Sequence, residues 1–570
     1  MRGHAVVATV GAVGRLATVS VGEDGAVLEV CWVGGRHARF HALWLRDNSL
    51  DPSTRGPANG QRLITIDALD PATRVATAEI GDDGTGVIVR FEPEGLTTEF
   101  EASWLEANRY DRPRRRDWGW TAAGVERWDG ASMHGRLARA GYSQVCADPL
   151  ALARWLAAIE RTGVAILHGV PVRSGVVCEV AALFGHVRET NYGRWFDVRA
   201  RVNPDNLADT NLGLQAHTDN PYRDPVPTLQ LLHCLDNSVE GGESSVVDGF
   251  MAVARLHAED PPAAHLLAAH PVRFEYHGSA DVWLRAKRPI IEIGPDGELL
   301  GVRFNNRSAA PWTDVPFDDM PAFLSAYRRL AEIIDDPAMQ VRFRLAPGDL
   351  FVVDNRRVLH SRTAFGGEGA RWLQGCYADV DGLASTVRVH RSTALADTVA
   401  DTFARRGAQE YLGEAVSMAE HMAQCAAQAE AAGADDELVI AALLHDLGHF
   451  TSDLGTYSAG ATVDHRHEIA GATALAGLVP RRVTDCIRLH VAAKRYLCAV
   501  EPQYRARLSP ASVHTLALQG GPMNTAEITA FESEPHHADA VRLRRWDEAA
   551  KDPTVTAPPL AHYLALLHHL

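Results

Sequence analysis

None of the eight cysteines of this 570-residue chain forms a CxxC pair. That spacing excludes a zinc knuckle or a disulfide framework and fits a reducing, cytoplasmic setting. No stretch approaches the ~20 apolar residues of a membrane span, so no membrane partner is expected. Positive charge is also short, with 56 Lys and Arg against 72 Asp and Glu, a net charge of -16. A nucleic-acid backbone needs a basic face, so a nucleic-acid partner is excluded and small-molecule chemistry becomes the default. Repeats and low-complexity tracts are missing. An apolar run from Ala5 to Gly14 has the length of a signal core. It lies between two arginines, lacks a cleavage site and passes into β-like alternation, so it reads as a strand. Histidine, by contrast, is plentiful: 26 residues. Neutral imidazole is the commonest metal ligand, so this abundance points to metal sites.

The length calls for several domains. Residues 1–108 read as a small N-terminal β domain of short strands such as Val27–Val33 and Gly86–Phe91, parted by Gly, Asp and Pro turns. The charged stretch Arg109–Trp118 reads as a linker. Residues 115–395 mix helices (Leu150–Thr162, Pro321–Asp336) with strands (Gly163–Leu167, Leu350–Val353). From 400 to 570 the apolar spacing becomes helical, as in Ala415–Ala432 and Asp436–Leu447. The expected assembly is a homo-oligomer, although no particular residue signals it.

Two motifs in the middle segment carry chemistry. Gln215-Ala-His217-Thr-Asp219 sets a histidine and an aspartate two apart, on the same side of an extended chain. Far downstream, Asp354-Asn-Arg-Arg-Val-Leu-His360 brings a second histidine on a β run. Two histidines and one carboxylate on one face leave positions open for O2 and a bidentate co-substrate, as in Fe(II) oxygenases. Arg371, opening a further strand, suits the distal carboxylate of 2-oxoglutarate.

These residues belong to a wider resemblance spanning nearly all of 1–395. Trp44-Leu-Arg-Asp-Asn48, Asn206-Leu-Ala, His217-Thr-Asp219, Leu231-Leu-His-Cys234, Gly241-Gly-Glu, Phe304-Asn-Asn306 and the His360 motif resemble γ-butyrobetaine hydroxylase and its TauD/TfdA-type relatives. The resemblance implies a double-stranded β-helix (jelly-roll) core, Fe(II) and 2-oxoglutarate. By position it makes His217, Asp219 and His360 the ligands and Arg371 the co-substrate anchor, assisted by Ser244. It also places a cation cage at Tyr192, Phe196, Asp209 and Tyr377, where aromatic faces would surround a quaternary ammonium. Asp209 departs from the aromatic pattern and would attract a cation by charge instead. Asn206, Asn305 or Arg307 would then meet the substrate's anionic end. The family's N-terminal zinc is not expected, because Ser49-Leu-Asp-Pro-Ser53 stands where its cysteines fall.

The helical segment supplies His421, the adjacent pair His445-Asp446, then His467, His490 and Asp547. Four histidines and two aspartates in this order form the HD signature of a dinuclear site. His449, His465, His536 and His537 read as solvated or packed side chains. Most HD domains are phosphohydrolases whose metals activate water. Tyr411, Glu414, Lys494 and Arg544 instead resemble the small group of HD mixed-valent diiron oxygenases that cleave 1-hydroxyalkylphosphonates. In that resemblance Tyr411 and Glu414 close over the diiron centre, and Lys494 and Arg544 hold the phosphonate.

Joined on one chain, the halves imply one pathway. The first would hydroxylate 2-(trimethylamino)ethylphosphonate beside phosphorus, and the second would cleave the product to glycine betaine and phosphate. Three alternatives stay open: 2-aminoethylphosphonate giving glycine, a γ-butyrobetaine-like hydroxylase joined to an unrelated HD phosphohydrolase, and an HD part that only senses.

Overall fold

The computed structural model describes residues 15–567 except 34, 83, 112–115, 123, 200–209, 280, 410–414 and 452–465. The Ala5–Gly14 run therefore lies outside the described residues, as do residues 112–115 of the charged linker. The chain divides into two compact units. One is Arg116–Ala404 with Thr473–Thr484 and Leu564–Leu570; the other is Met1–Arg115, Arg405–Ala472 and Asp485–Tyr563.

The first unit is built on two sheets. Its major sheet has six strands in the order Arg139–Gly141, Val164–His168, Leu350–Asp354, Leu229–Asn237, Arg371–Ala378 and Phe196–Arg199. Its minor sheet has four, in the order Leu214–His217, Val358–Arg362, Ser244–Asp248 and Val341–Phe343. Neighbours are antiparallel except the parallel pair Arg139–Gly141 and Val164–His168. Leu232, Cys234, Phe351 and Leu373 of the major sheet pack with Val246, Phe343 and Val358 of the minor one. Strands such as Ser244–Asp248 are buried on both faces, which requires covering layers on the outside. Helix Pro149–Thr162 supplies one, sealing Leu152, Trp155, Leu156 and Ile159 against Leu167, Leu231 and Val352. Asp148 caps that helix through Leu150 N, with Pro149 at its first position. Helices Gly249–Glu259 and Met320–Asp335 cover Val247 and Leu359 of the minor sheet. One buried ion pair pins this layer: Arg357 donates to both oxygens of Asp248 at 2.9 and 2.8 Å.

In the second unit, residues 16–101 form two three-stranded antiparallel sheets around Trp32, Phe40, Phe91 and Phe100. Where the resembled family carries zinc ligands, Asp51 accepts hydrogen bonds from the hydroxyls of Ser49, Ser53 and Thr54. The remainder is helical. Helix Met418–Ala431 starts three residues later than its periodicity suggested, because Ser417 and Glu420 close a capping box there. Helix Asp436–Leu444 ends before His445, whereas the apolar pattern runs to Leu447. His445 is thus a helix cap and Asp446 lies in the turn beyond it. All eight cysteines are free thiols. No described helix is long and apolar enough to cross a membrane.

Candidate metal centres

His217 ends its minor-sheet strand and is the register partner of His360 on the next. Cross-strand partners project to the same face, and Asp219 follows two residues on. One ligand atom from each of the three lies within 4.8 Å of the others. His217 Nδ1 meets the Gln215 carbonyl at 2.8 Å. A carbonyl only accepts, so the proton sits on Nδ1 and Nε2 keeps its lone pair for a cation. Burial, reinforced by His217, pushes the His360 imidazole down to about 3, so its ring is neutral. The trio fits a divalent metal.

The trio opens on a cavity of about 680 Å³ that also receives Arg371, Ser244 and Arg307. Arg371 is buried, and its Nε donates to the Gly242 carbonyl at 3.3 Å. Gly242, at φ 66°, makes room for it, since a Cβ there would lie 3.0 Å from Arg371 Cδ. Burial lowers the pKa of this guanidinium, and no carboxylate pairs with it among the described residues. A buried cation without a counter-ion calls for an anionic ligand, and a dicarboxylate suits it. At the other end Phe196 and Tyr377 stand 5.2 Å apart, with Tyr192 6.0 Å from Phe196. These aromatics form one wall of the cavity. Asn206 and Asp209 lie outside the described residues. Asn305 is held by the backbone: it donates to Thr218 O and accepts from Arg307 N and Ser308 N. The Arg307 side chain is exposed at the cavity and has no carboxylate partner among the described residues.

Two cavity residues were not singled out from sequence. Asn220 is buried at φ 53°, in the left-handed region that asparagine tolerates. Its Oδ1 accepts from Tyr222 Oη at 2.6 Å, which leaves Nδ2 buried without a partner. Tyr222 Oη in turn meets Tyr192 Oη at 2.7 Å. The only available signal was the polar residue following the His-x-Asp motif.

The helical cluster is larger. His421, His445 and Asp446 form one group of potential ligands, and Asp446, His467 and His490 form another. Asp446 belongs to both. Its Oδ2 lies 3.6 and 3.4 Å from His421 and His445 Nε2, its Oδ1 3.3 and 3.6 Å from His467 and His490 Nε2. Asp547 Oδ1, buried and without a hydrogen-bond partner, faces His421 at 3.5 Å. The Nδ1 atoms of His421, His445 and His490 each meet a backbone carbonyl, at 2.7, 2.8 and 2.7 Å. Each of these Nδ1 atoms therefore carries a proton, and the Nε2 atoms of His421 and His445 confront each other 3.2 Å apart. The Nε2 atoms of His467 and His490 lie 3.1 Å apart. Imidazole nitrogens and carboxylates gathered this closely suit divalent cations. Despite its burial, His445 is raised in pKa by Asp446 and Cys425. The donor set fits two cations bridged by Asp446.

Beside this cluster, Lys494 Nζ donates to Thr515 Oγ1 at 2.9 Å, and burial together with Arg544 brings its pKa down to about 7. Arg544 is committed to protein partners: Asp547, Glu548 at 2.6 Å and Tyr504 at 2.9 Å. Tyr411 and Glu414 lie outside the described residues, as does His465. His449 is buried against the cluster, stacked 4.1 Å from His467 with Nε2 3.9 Å from Asp446 Oδ1 and neither ring nitrogen hydrogen-bonded. His537 is packed through Nδ1 on Glu534 O, and His536 lies 3.9 Å from Asp485.

A two-histidine, one-carboxylate face beside an uncompensated arginine, with a bridged His/Asp cluster downstream, defines a non-haem metal oxygenase carrying an HD centre. Comparison with known proteins agrees. The model of the taurine catabolism dioxygenase TauD, TfdA family matches residues 136–377, and that of the HD domain matches 418–508. γ-Butyrobetaine dioxygenase of Pseudomonas sp. (strain AK-1) is 35% identical over 364 residues, 64% of this chain and 93% of that one. The chain belongs to this TauD/TfdA dioxygenase family and is joined to an HD domain. For the latter, 1-hydroxy-2-(trimethylamino)ethylphosphonate dioxygenase (glycine-betaine-forming) of Leisingera caerulea is 47% identical over 176 residues, 31% of this chain and 90% of that one. The solved structure of an asparagine oxygenase aligns at a TM-score of 0.34 and 22% identity, covering 41% of this chain and 80% of that one.

Proposed function

We propose that the chain performs two consecutive oxidations on one small molecule. 2-(Trimethylamino)ethylphosphonate would be hydroxylated on the carbon bearing phosphorus at the first centre. The hydroxyphosphonate would be cleaved to glycine betaine and phosphate at the second. The observation that carries this reading is the joining, on one chain, of relatives whose names specify a betaine and a hydroxylated trimethylamino phosphonate. We take residues 1–108, 115–395 and 400–570 as the functional segments, and the paired sheets as the double-stranded β-helix of the second.

Iron held by His217, Asp219 and His360 would supply, with 2-oxoglutarate and O2, the oxidation of C–H to C–OH, releasing succinate and CO2. Arg371 would anchor the distal carboxylate of the co-substrate, with Ser244 beside it. Tyr192, Phe196 and Tyr377 would face the quaternary ammonium. Arg307 and Asn220 Nδ2 would meet the phosphonate, orienting the carbon beside phosphorus towards the metal. In the second centre two irons, held by His421, His445, Asp446, His467, His490 and Asp547, would supply a second oxidation with O2. There the hydroxyl-bearing carbon becomes a carboxylate and phosphorus leaves as phosphate. Lys494 would neutralise the phosphonate, and Arg544 would fix Asp547 in its ligating orientation. Tyr411 and Glu414 would cover that centre until substrate enters.

The test is phosphate release from 2-(trimethylamino)ethylphosphonate with Fe(II), 2-oxoglutarate and O2. His217→Ala should abolish conversion, and His445→Ala should let the hydroxyphosphonate accumulate. Absence of substrate-stimulated succinate would refute the first step. Release of phosphate from the hydroxyphosphonate under anaerobic conditions would show a hydrolase instead.

A further inference from the structure

The two oxygens of Asp219 face different partners. Oδ1 points at the histidines, 3.3 Å from His217 Nε2 and 4.0 Å from His360 Nε2. Oδ2 accepts from Tyr377 Oη at 2.9 Å and from Gln230 Nε2. These donors are direct cross-strand partners in the major sheet, so they rise from the same face of it. The histidines belong to the minor sheet. Asp219 is therefore where the two sheets are tied together at the metal-binding trio. Tyr377 also presents its ring to the cavity, beside Phe196.

We propose that Tyr377 is a positioning residue with two ends: its ring faces the substrate cation while its hydroxyl holds Asp219 to a single ligating oxygen. Gln230 is its partner in the second task. The ring's part in this rests on the cation-pocket reading above; the hydroxyl's part does not. With both donors in place, Oδ2 is occupied and only Oδ1 is offered to a metal. With either donor lost, the carboxylate is free to turn and chelate through both oxygens. That would fill a position needed by 2-oxoglutarate or O2. A cation on the ring face withdraws electron density from the phenol and strengthens its O–H as a donor. Occupation of the cage is in this way transmitted to the carboxylate beside it.

The experiment titrates Fe(II) anaerobically into the full chain with 2-oxoglutarate. It follows the visible charge-transfer absorbance of the iron–2-oxoglutarate chelate, to which the HD cluster contributes nothing. Tyr377→Phe keeps the ring and loses the hydroxyl, so apparent iron affinity should weaken by roughly tenfold. Substrate affinity by calorimetry should stay within about threefold, because the aromatic face remains. The band shift that substrate induces in the unaltered chain should disappear. Gln230→Leu should weaken iron binding without changing substrate affinity, and Tyr377→Leu should weaken both. Unaltered iron titrations in both Tyr377→Phe and Gln230→Leu would overturn the positioning role. If 2-(trimethylamino)ethylphosphonate shifts no band in the unaltered chain, the substrate reading fails. The substrate-free iron titrations would still decide what the hydroxyl does.

Discussion

Gly375 gives the cation cage a decisive test. It lies between Arg371 and Tyr377 on one strand, pairing with Phe196 on one side and Leu232 on the other. A Cβ at Gly375 would sit 2.5 Å from Phe196 Cζ and 3.0 Å from Leu232 Cδ2. Non-bonded carbons rest ~3.5–4.0 Å apart, so in Gly375→Ala the Phe196 ring must withdraw by about 1 Å or swing away. The backbone adopts no left-handed angle there, so the effect falls on side chains: mainly the Phe196 ring, with a smaller shift of Leu232. A desolvated cation–π contact is worth about 2 kcal/mol and an exposed one about 0.5–1. Losing one aromatic wall should therefore weaken binding of the trimethylammonium substrate roughly 5- to 30-fold. The assay compares calorimetric Kd values, under anaerobic Fe(II) and 2-oxoglutarate, for the substrate and its uncharged tert-butyl isostere. Charge recognition predicts that the variant loses affinity for the cation and much less for the isostere. The Kd of 2-oxoglutarate should not change, because its anchor is Arg371. Equal losses for cation and isostere would reduce Phe196 to a shape element. Unchanged affinity for both would remove it from the cage.

Arg371→Met should raise the 2-oxoglutarate requirement by roughly a hundredfold, since a charge-assisted bidentate contact is worth about 1.5–3 kcal/mol, and should leave the iron titration intact. Asp446→Ala removes an oxygen from each group of the helical cluster, so metal analysis should show both HD ions lost and the first iron retained. Lys494 titrates near pH 7. It is charged below that value and neutral above it, so kcat/KM for phosphonate cleavage should fall as pH rises through about 7, and Lys494→Arg should flatten the profile. Asp248→Ala strands the buried Arg357 and should cost about 3–5 kcal/mol in denaturant unfolding of the dioxygenase unit; a loss within experimental error would refute the importance of that pair.

The first site was legible through local spacing, and the helical one through the order of its histidines and aspartates. His217 and Asp219 are two apart, and His360 lies on a run whose β character is unmistakable. What sequence could not show is long-range pairing. Nothing local marks Gln230 as the partner of Tyr377, because the register joining them spans 147 positions. Arg544 reads as an available phosphonate ligand from its place before Asp547, yet packing commits it to three protein partners. His449 reads from sequence as a solvated or packed side chain, and the fold stacks it on His467 beside the cluster. The helix carrying His445 looked longer than it is, since Leu447 continues the apolar period after the hydrogen-bonded helix has ended.

His445 caps that helix with a helical backbone, φ -58° and ψ -34°, and Asp446 follows in the turn. Consecutive side chains on such a backbone point about 100° apart. The His445 ring turns its Nδ1 to the Ala442 carbonyl of the last helical turn, and Asp446 presents one oxygen to each histidine pair. The same carbonyl-locking device recurs at His490 through Ile487, also three residues back. Because a carbonyl holds each Nδ1–H, the Nε2 atoms of His421, His445 and His490 are turned towards Asp446. The first centre uses the device at His217 through Gln215, on a strand instead of a helix. Two unrelated scaffolds thus orient imidazoles by one rule: a backbone carbonyl accepts the Nδ1–H, which turns Nε2 towards the metal-binding side.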